Sequence, residues 1–407
     1  MPLVITKTGE AFGARADRLD LALCGDGLNM VAAIRSAGGH VHYHLWDILP
    51  GSGLSEITIE PPSDMGIDVV ACHVTEDRLL MARNATGTYQ FRAFKNTFAF
   101  HATNDVATGY DSIHLALAGF PPPDHPLHPP PVTMALKTGG AQTLQERLPS
   151  RQIVVKIGPK VCRAASAEVT ASHKLRTCVW TMDWGGQIAT KLGKTTLTTS
   201  TPAFAVDVAA TRSDWDEDHF GTAEWVVAFK AASPVGALKL RRFRRAVPLE
   251  TPAISSIGNA TAAESVKDVA VCTVATGTGA GVVTAVIDES GNLKVIGWKL
   301  ESTGAITRWM DATAPETGGS VACAWMGGPN VATAVKQSDG VLKLIYWRFS
   351  DAGGATAPVR LGEKTVHAVG AFRVQHRPGS GSNLGDTIVA VSLGSGDLKV
   401  IRYSVTQ

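Results

Sequence analysis

No run in this chain approaches the roughly 18 apolar residues that a membrane span needs, so no membrane partner is expected. An excess of one charge is missing too. Lys and Arg number 38 against 36 Asp and Glu, a net charge of +2. Such a balance gives no general attraction for nucleic acid or another polyanion. The opening MPLVITKTGEAFG has neither the basic start nor the apolar core of a signal peptide. The expectation is a soluble protein, cytoplasmic or secreted without a visible signal peptide. Common catalytic signatures are also absent: there is no GxSxG, no HExxH, no phosphate loop and no GxGxxG after a strand.

What the sequence does have is one pattern, repeated. From Asp268 to Ala312 it reads DVAVCTVATG, VVTAVIDESGNLKVIGWKL and ITRWMDA, four short apolar runs separated by Gly, Ser, Thr and Asn. Runs rich in Val, Ile, Thr and aromatics favour strands. Glu289-Ser290-Gly291 joins two of them as a hairpin, because Gly tolerates the positive φ of a tight turn. In the third run Leu293 and Val295 occupy one face and Ile296 and Trp298 the other, so that strand is covered on both sides.

The hairpin and third strand recur at Lys336–Phe349 and Leu393–Val405. Weaker copies lie at Phe229–Phe243, Arg83–Phe94, Arg35–Trp46, Leu136–Leu144 and Met182–Leu192. Index residues just after the turn glycines are Val41, Tyr89, Ala141, Ile188, Leu238, Leu293, Leu342 and Leu398, spaced 47 to 56 apart. From Leu398 through the chain ends to Val41 is another 50 residues. Four antiparallel strands covered on both faces, at this spacing, describe the blade of a β-propeller.

The chain therefore resembles the propeller superfold along its whole length. It lacks the GH…WD pairs of WD40 repeats, the paired glycines of kelch blades and the DxDxDG of integrin-type propellers. The tryptophan-docking pattern of quinone-dependent eight-bladed dehydrogenases is absent as well. The expectation is an all-β, eight-bladed β-propeller forming one domain over 1–407. Seven blades, which needs one unit of nearly 100 residues, is the alternative. The last copy ends after a third strand, at Val405, so Leu3–Thr8 is expected to supply its fourth strand and close the ring. Blades then run approximately over 18–66, 67–109, 110–160, 161–203, 204–263, 264–317, 318–366, and 367–407 plus 1–14.

Five of the six cysteines, Cys24, Cys72, Cys162, Cys272 and Cys323, fall in or near first strands, and Cys178 falls near a second strand. One per blade at equivalent positions keeps them apart, which suits small buried hydrophobes better than disulfides. FPPPDHPLHPPP, residues 120–131, is polyproline-like and cannot join a sheet interior. It reads as a stiff surface loop, or as an arm that docks a protein partner.

Four constellations bear on chemistry. Asp20, Asp68 and Asp268 each lie four residues before a cysteine, and Asp111 and Asp207 open the corresponding runs. First strands line a propeller's central channel, so these five aspartates form a candidate ligand site at its mouth. The competing explanation is a carboxylate capping the turn into each strand. Asp214, Asp216 and Asp218 alternate in an acidic loop that could hold a divalent cation such as Ca²⁺, although His219 and Phe220 intervene before Gly221. No other cofactor is evident. His40, His42 and His44 lie on one side of a strand, about 6.6 Å apart; His42 takes the slot of Lys294, Lys343 and Lys399, and His44 that of Ile296, Ile345 and Ile401. LKLRRFRR, Leu238–Arg245, is the one basic cluster, and strand alternation puts its charges on both faces.

Fold does not decide function. The leading expectation is a binding module for carbohydrate or another small polar ligand, supported by aromatic-bearing turns at Trp184 and Trp215. An enzyme (hydrolase, lyase or cyclase type) using the Asp cluster as acid, base or electrostatic stabiliser is the alternative. A protein-interaction scaffold is the third.

Overall fold

A computed structural model describes residues 3–23, 29–36, 38–49, 53–60, 68–75, 78–85, 88–95, 100–107, 112–119, 133–135, 143–148, 151–156, 161–170, 174–183, 190–196, 203–213, 223–232, 236–245, 254–276, 279–350, 355–366, 370–379 and 382–407. Among them every regular element is a strand, and no helix is long and apolar enough to cross a membrane.

β1 (Val4–Arg15) belongs to a sheet completed at the far end of the chain. β2 (Arg18–Leu23), β3 (Asn29–Arg35), β4 (Val41–Leu49) and β5 (Gly53–Glu60) make a four-stranded antiparallel sheet. β6 (Asp68–Thr75), β7 (Arg78–Ala85), β8 (Thr88–Lys95) and β9 (Phe100–Ala107) make the next. β10 (Ser112–Gly119) is followed by β11 (Thr133–Ala135), β12 (Thr143–Leu148) and β13 (Arg151–Lys156), which form a three-stranded sheet of their own. β10 pairs instead with β14 (Val161–Thr170), which continues to β15 (Leu175–Asp183) and β16 (Thr190–Thr196).

β17 (Ala203–Ser213), β18 (Ala223–Ala231), β19 (Ala237–Arg245), β20 (Ile254–Thr276), β21 (Gly279–Asp288), β22 (Asn292–Leu300) and β23 (Ile306–Thr317) form one seven-stranded sheet. β20 serves two neighbours. It pairs with β19 up to Ser265 and with β21 from Val266 onward. β24 (Ser320–Trp325), β25 (Asn330–Lys336), β26 (Leu342–Arg348) and β27 (Val359–Val366) form the next sheet. β28 (Phe372–Pro378), β29 (Asn383–Ser392) and β30 (Asp397–Thr406) are joined by β1, which pairs with β30 from Val4↔Thr406 to Arg15↔Asp397.

Among the described residues, the strands of the expected units 110–160 and 161–203 form one four-stranded sheet, β10-β14-β15-β16, and the separate β11-β12-β13. The turn glycines near Ala141 do fall between two paired strands, β11 and β12. A hairpin signal is local, however, and carries no information about which sheet the hairpin joins.

The template repeat is seen at atomic detail. Gly291, Gly340 and Gly396 hold φ of 89°, 81° and 88° at the three equivalent hairpins, a region costly for any residue with a Cβ. Every residue from Val282 to Ile287 is buried, as a strand covered on both faces requires. Each such Val, Ile or Leu contributes roughly 1.5–3 kcal/mol by leaving water. The cores lie between neighbouring sheets: Ala270, Val283, Leu293 and Val295 pack with Val331, Ile345 and Trp347.

Two polar devices recur in several copies. Along a third strand an arginine is held by the second strand of its own repeat and reaches the next repeat. Arg242 bonds Glu224 (3.0 Å) and the carbonyl of Glu301 (2.6 Å). Arg348 bonds Asn330 (3.2 Å) and Gln407 (3.1 Å). Arg402 bonds Asp386 (2.8 Å) and the carbonyl of Leu49 (2.6 Å). Each lands just past, or at the end of, the following third strand. The second device uses the lysine slot. Lys294 pairs with Glu264 (2.6 Å) and Asp311 (3.3 Å), Lys343 with Glu316 (3.2 Å) and Glu363 (2.9 Å), and Lys399 with Glu10 (2.7 Å).

Candidate ligand site on the first strands

The first strands touch in cyclic order: β2 meets β6, β6 meets β10, and so on through β17, β20, β24 and β28 back to β2. The aspartates that the sequence singles out are embedded in these contacts. Asp20 Oδ2 accepts the Ala71 amide of β6 at 2.9 Å. Asp207 Oδ2 accepts the Val271 amide of β20 at 2.8 Å, while its Oδ1 accepts the adjacent Val208 amide at 2.9 Å. Asp268 Oδ2 accepts the Val321 amide of β24 at 2.9 Å. Each carboxylate therefore clasps its own first strand to the next one. That is neither a cap on a turn nor an unengaged acid.

The positions differ from expectation in one respect. Asp268 does not open a strand but sits inside β20, just past a register shift between Val266 and Asp268 where the strand changes partners. Asp68 is the first residue of β6, and its backbone alone is described. Asp111 lies outside the described residues, as do Asp214, Asp216, Asp218, loop 120–131, Trp184 and Trp215.

Arg373 of β28 completes the cluster. Its Nε donates to Asp20 Oδ1 at 3.2 Å, and its side chain remains 49% exposed. Gln375 on the same strand donates to the carbonyl of Leu21 at 3.0 Å, so β28 and β2 are joined as well. Burial drives all three carboxylates upward, Asp207 to about 6, and the Arg373 charge opposes that rise at each of them. The Asp20 charge adds to the rise at Asp207. One guanidinium and three carboxylates from β2, β17, β20 and β28 therefore share a common field.

The cysteines are closer together than the spacing suggests. Cys272 of β20 and Cys323 of β24 belong to one apolar cluster and their thiols interact; burial, then Cys272, pushes the Cys323 thiol well up. Equivalent positions on adjacent strands face one another, whereas the sequence argument placed them apart. Cys178, Cys272 and Cys323 are free thiols.

Among the described residues no group of three His, Cys, Asp or Glu is placed to hold a metal ion. His44 is buried, with Nδ1 2.8 Å from Glu56 Oε1 and its ring stacked on Trp46. Burial lowers the His42 pKa, with His44 and His40 adding to the effect. The Arg arms and the glutamates that receive the slot lysines were not found from sequence. An Arg 16 or 18 residues after an acid or Asn, across a hairpin, is the signal that marks the arms.

No protein-family model matches the chain, and no curated protein matches it. Solved structures do. BBS1N in complex with ARL6DN is similar over 98% of this chain and 97% of that one, at 10% identity and a TM-score of 0.47. A triple mutant of AofleA from Arthrobotrys oligospora is similar over 89% and 92%, at 11% identity and a TM-score of 0.46. The WD40 domain of coronin from Toxoplasma gondii is similar over 100% of this chain and 86% of that one, at 10% identity and a TM-score of 0.52. With that last likeness, which is one of fold alone, the all-β architecture is of the β-propeller type.

Proposed function

We propose that this chain is a single-domain, seven-bladed propeller-type binding module for a small, hydroxyl-rich polar ligand, with carbohydrate the leading class. The cyclic contacts of seven first strands support seven blades over the eight that the repeat spacing suggests. The pairing of β1 with β30 supports a ring closed by the N-terminal strand. The ligand site is the mouth around Asp20, Asp207, Asp268 and Arg373, with Asp68 and Asp111 as its remaining members.

One observation carries the ligand reading: the half-exposed Arg373 guanidinium beside Asp20, within the field of two further carboxylates. Hydroxyl groups both donate and accept, so a fixed donor next to fixed acceptors complements them. The enzyme alternative uses the same acids, of which Asp20, Asp207 and Asp268 each commit one oxygen to a backbone amide of the next first strand. A Ca²⁺ ion at Asp214, Asp216 and Asp218 is a separate proposal, tested by melting with and without the ion.

A protein-interaction scaffold is the second reading. It is favoured by Val4 and Phe12 of β1 and Val359 of β27, large apolar side chains left more than half exposed. Loop 120–131 would be a further docking arm.

The test is calorimetric titration of wild type and Arg373→Ala with a panel of mono- and disaccharides. The expected result is saturable binding of at least one sugar by wild type, weakened tenfold or more in the variant. Equal affinity in both, or no binding by wild type, overturns the ligand reading.

A further inference from the structure

Arg245 is the last residue of β19 and only 3% exposed. Its Nε and Nη1 are buried with no hydrogen-bond partner, and among the described residues it forms no ion pair. The register explains why. Opposite it stand Ala223 on β18 and Ile254 on β20. The next residue on its own face, Phe243, stacks on Trp225 with ring centroids 5.8 Å apart. All four of these neighbours belong to one apolar cluster, and their side chains offer no acceptor.

The other arginines of the strand do not share this fate. Arg242 and Arg244 both bind Glu224, whose side chain is fully buried, on the opposite face of the sheet. That carboxylate is already shared between two cations, so none of its charge is left for Arg245. Burial, with no opposing charge, lowers the Arg245 pKa from its ordinary value. A guanidinium nevertheless stays protonated at physiological pH. A buried cation without a counterion is unfavourable, and an anion from elsewhere would relieve that cost.

We propose that Arg245 is an anion-binding site at the end of β19, taking a ligand that bears a phosphate or sulfate group. The planar fork of donors matches the oxygens of such a group, and the apolar wall of Ala223, Phe243 and Ile254 strengthens the attraction by excluding water. This site is distinct from the first-strand cluster and does not depend on it.

The experiment titrates inorganic phosphate into the full chain at low ionic strength, against chloride at matched ionic strength, by calorimetry and thermal melting. Wild type is expected to bind phosphate saturably and to melt higher in it than in chloride. Arg245→Met should weaken binding tenfold or more, and should melt at the same temperature in both salts. Should Arg245→Met fail to fold, Arg245→Lys serves, with affinity several-fold lower because the bidentate fork is lost. No saturable binding in wild type, or unchanged affinity in either variant, overturns the proposal. So does a third result. If phosphate binds only after Asp214, Asp216 and Asp218 are all changed to Asn, the chain's own acidic loop is the occupant.

Discussion

The sheets β20–β23 and β24–β27 solve a packing problem in one way, and β2–β5 solves it in another. In the first two, Trp298 Nε1 donates to Thr284 Oγ1 and Trp347 Nε1 to Thr333 Oγ1, each at 2.9 Å. Those threonines lie opposite Ile296 and Ile345. In β2–β5 the same slots hold Ala32 and His44, paired across β3 and β4, and Trp46 follows. His44 spends Nδ1 on Glu56, and both His44 Nε2 and Trp46 Nε1 are left buried without a partner. The backbone template is the same, yet one version satisfies its tryptophan Nε1 and the other does not. The repeat specifies where the side chains point, not whether their chemistry closes.

The largest expected effect breaks the template itself. Deleting residues 1–14 removes nearly all of β1 and leaves β30 with an unpaired edge, a site for association. The truncated chain is expected to melt well below wild type and to self-associate in sedimentation; unchanged melting as a monomer refutes the pairing role of β1. Next in size is Glu224→Gln, which strips the buried partner from Arg242 and Arg244 and should cost about 3–5 kcal/mol in denaturant unfolding. No comparable loss is expected for Glu264→Gln at the partly exposed lysine slot, where ion pairs are worth about 0–1 kcal/mol.

A smaller change sharpens the contrast between sheets. Ala32→Thr with His44→Ile installs the arrangement of β20–β23 in β2–β5, supplying Trp46 with an acceptor and removing an orphaned nitrogen. The double variant should gain about 1 kcal/mol, the order of one satisfied buried hydrogen bond. A loss instead would mean that Glu56 and His44 hold this sheet together more strongly than the missing bonds weaken it.

Much of this was legible in the sequence because strand period and turn chemistry are local. The hairpins at Gly291, Gly340 and Gly396, the double-faced burial of β22, and the alignment of Lys294, Lys343 and Lys399 all follow from short stretches. The inner aspartates were legible as positions but not as clasps, since the amides they hold lie 51 to 64 residues away. The same holds for β10, which skips 41 residues to pair with β14. The stretch it skips carries a hairpin of its own, β11 and β12. Arg245 was visible only as part of a basic cluster; that it faces apolar neighbours depends on register with β18 and β20.

pH offers a check on the burial of Asp207. Asp207 stands at about 6 against an ordinary 3.8, so the folded chain binds this proton more tightly than the unfolded one. Its contribution to stability is fully present below about pH 4 and lost as pH rises through about 6. Asp207→Asn should flatten that part of the stability–pH curve, and an unchanged slope would contradict the assignment.

The account stands or falls on the carboxylates as links between first strands, and amide hydrogen exchange at Val321 tests this most directly. Asp268→Ala removes the carboxylate oxygen that accepts that amide at 2.9 Å, whereas Asp268→Asn keeps an oxygen in place. The account predicts a protected Val321 amide in wild type and in Asp268→Asn, and exchange at least tenfold faster in Asp268→Ala while amides of β22 stay protected. Equal protection at Val321 in all three proteins would contradict it.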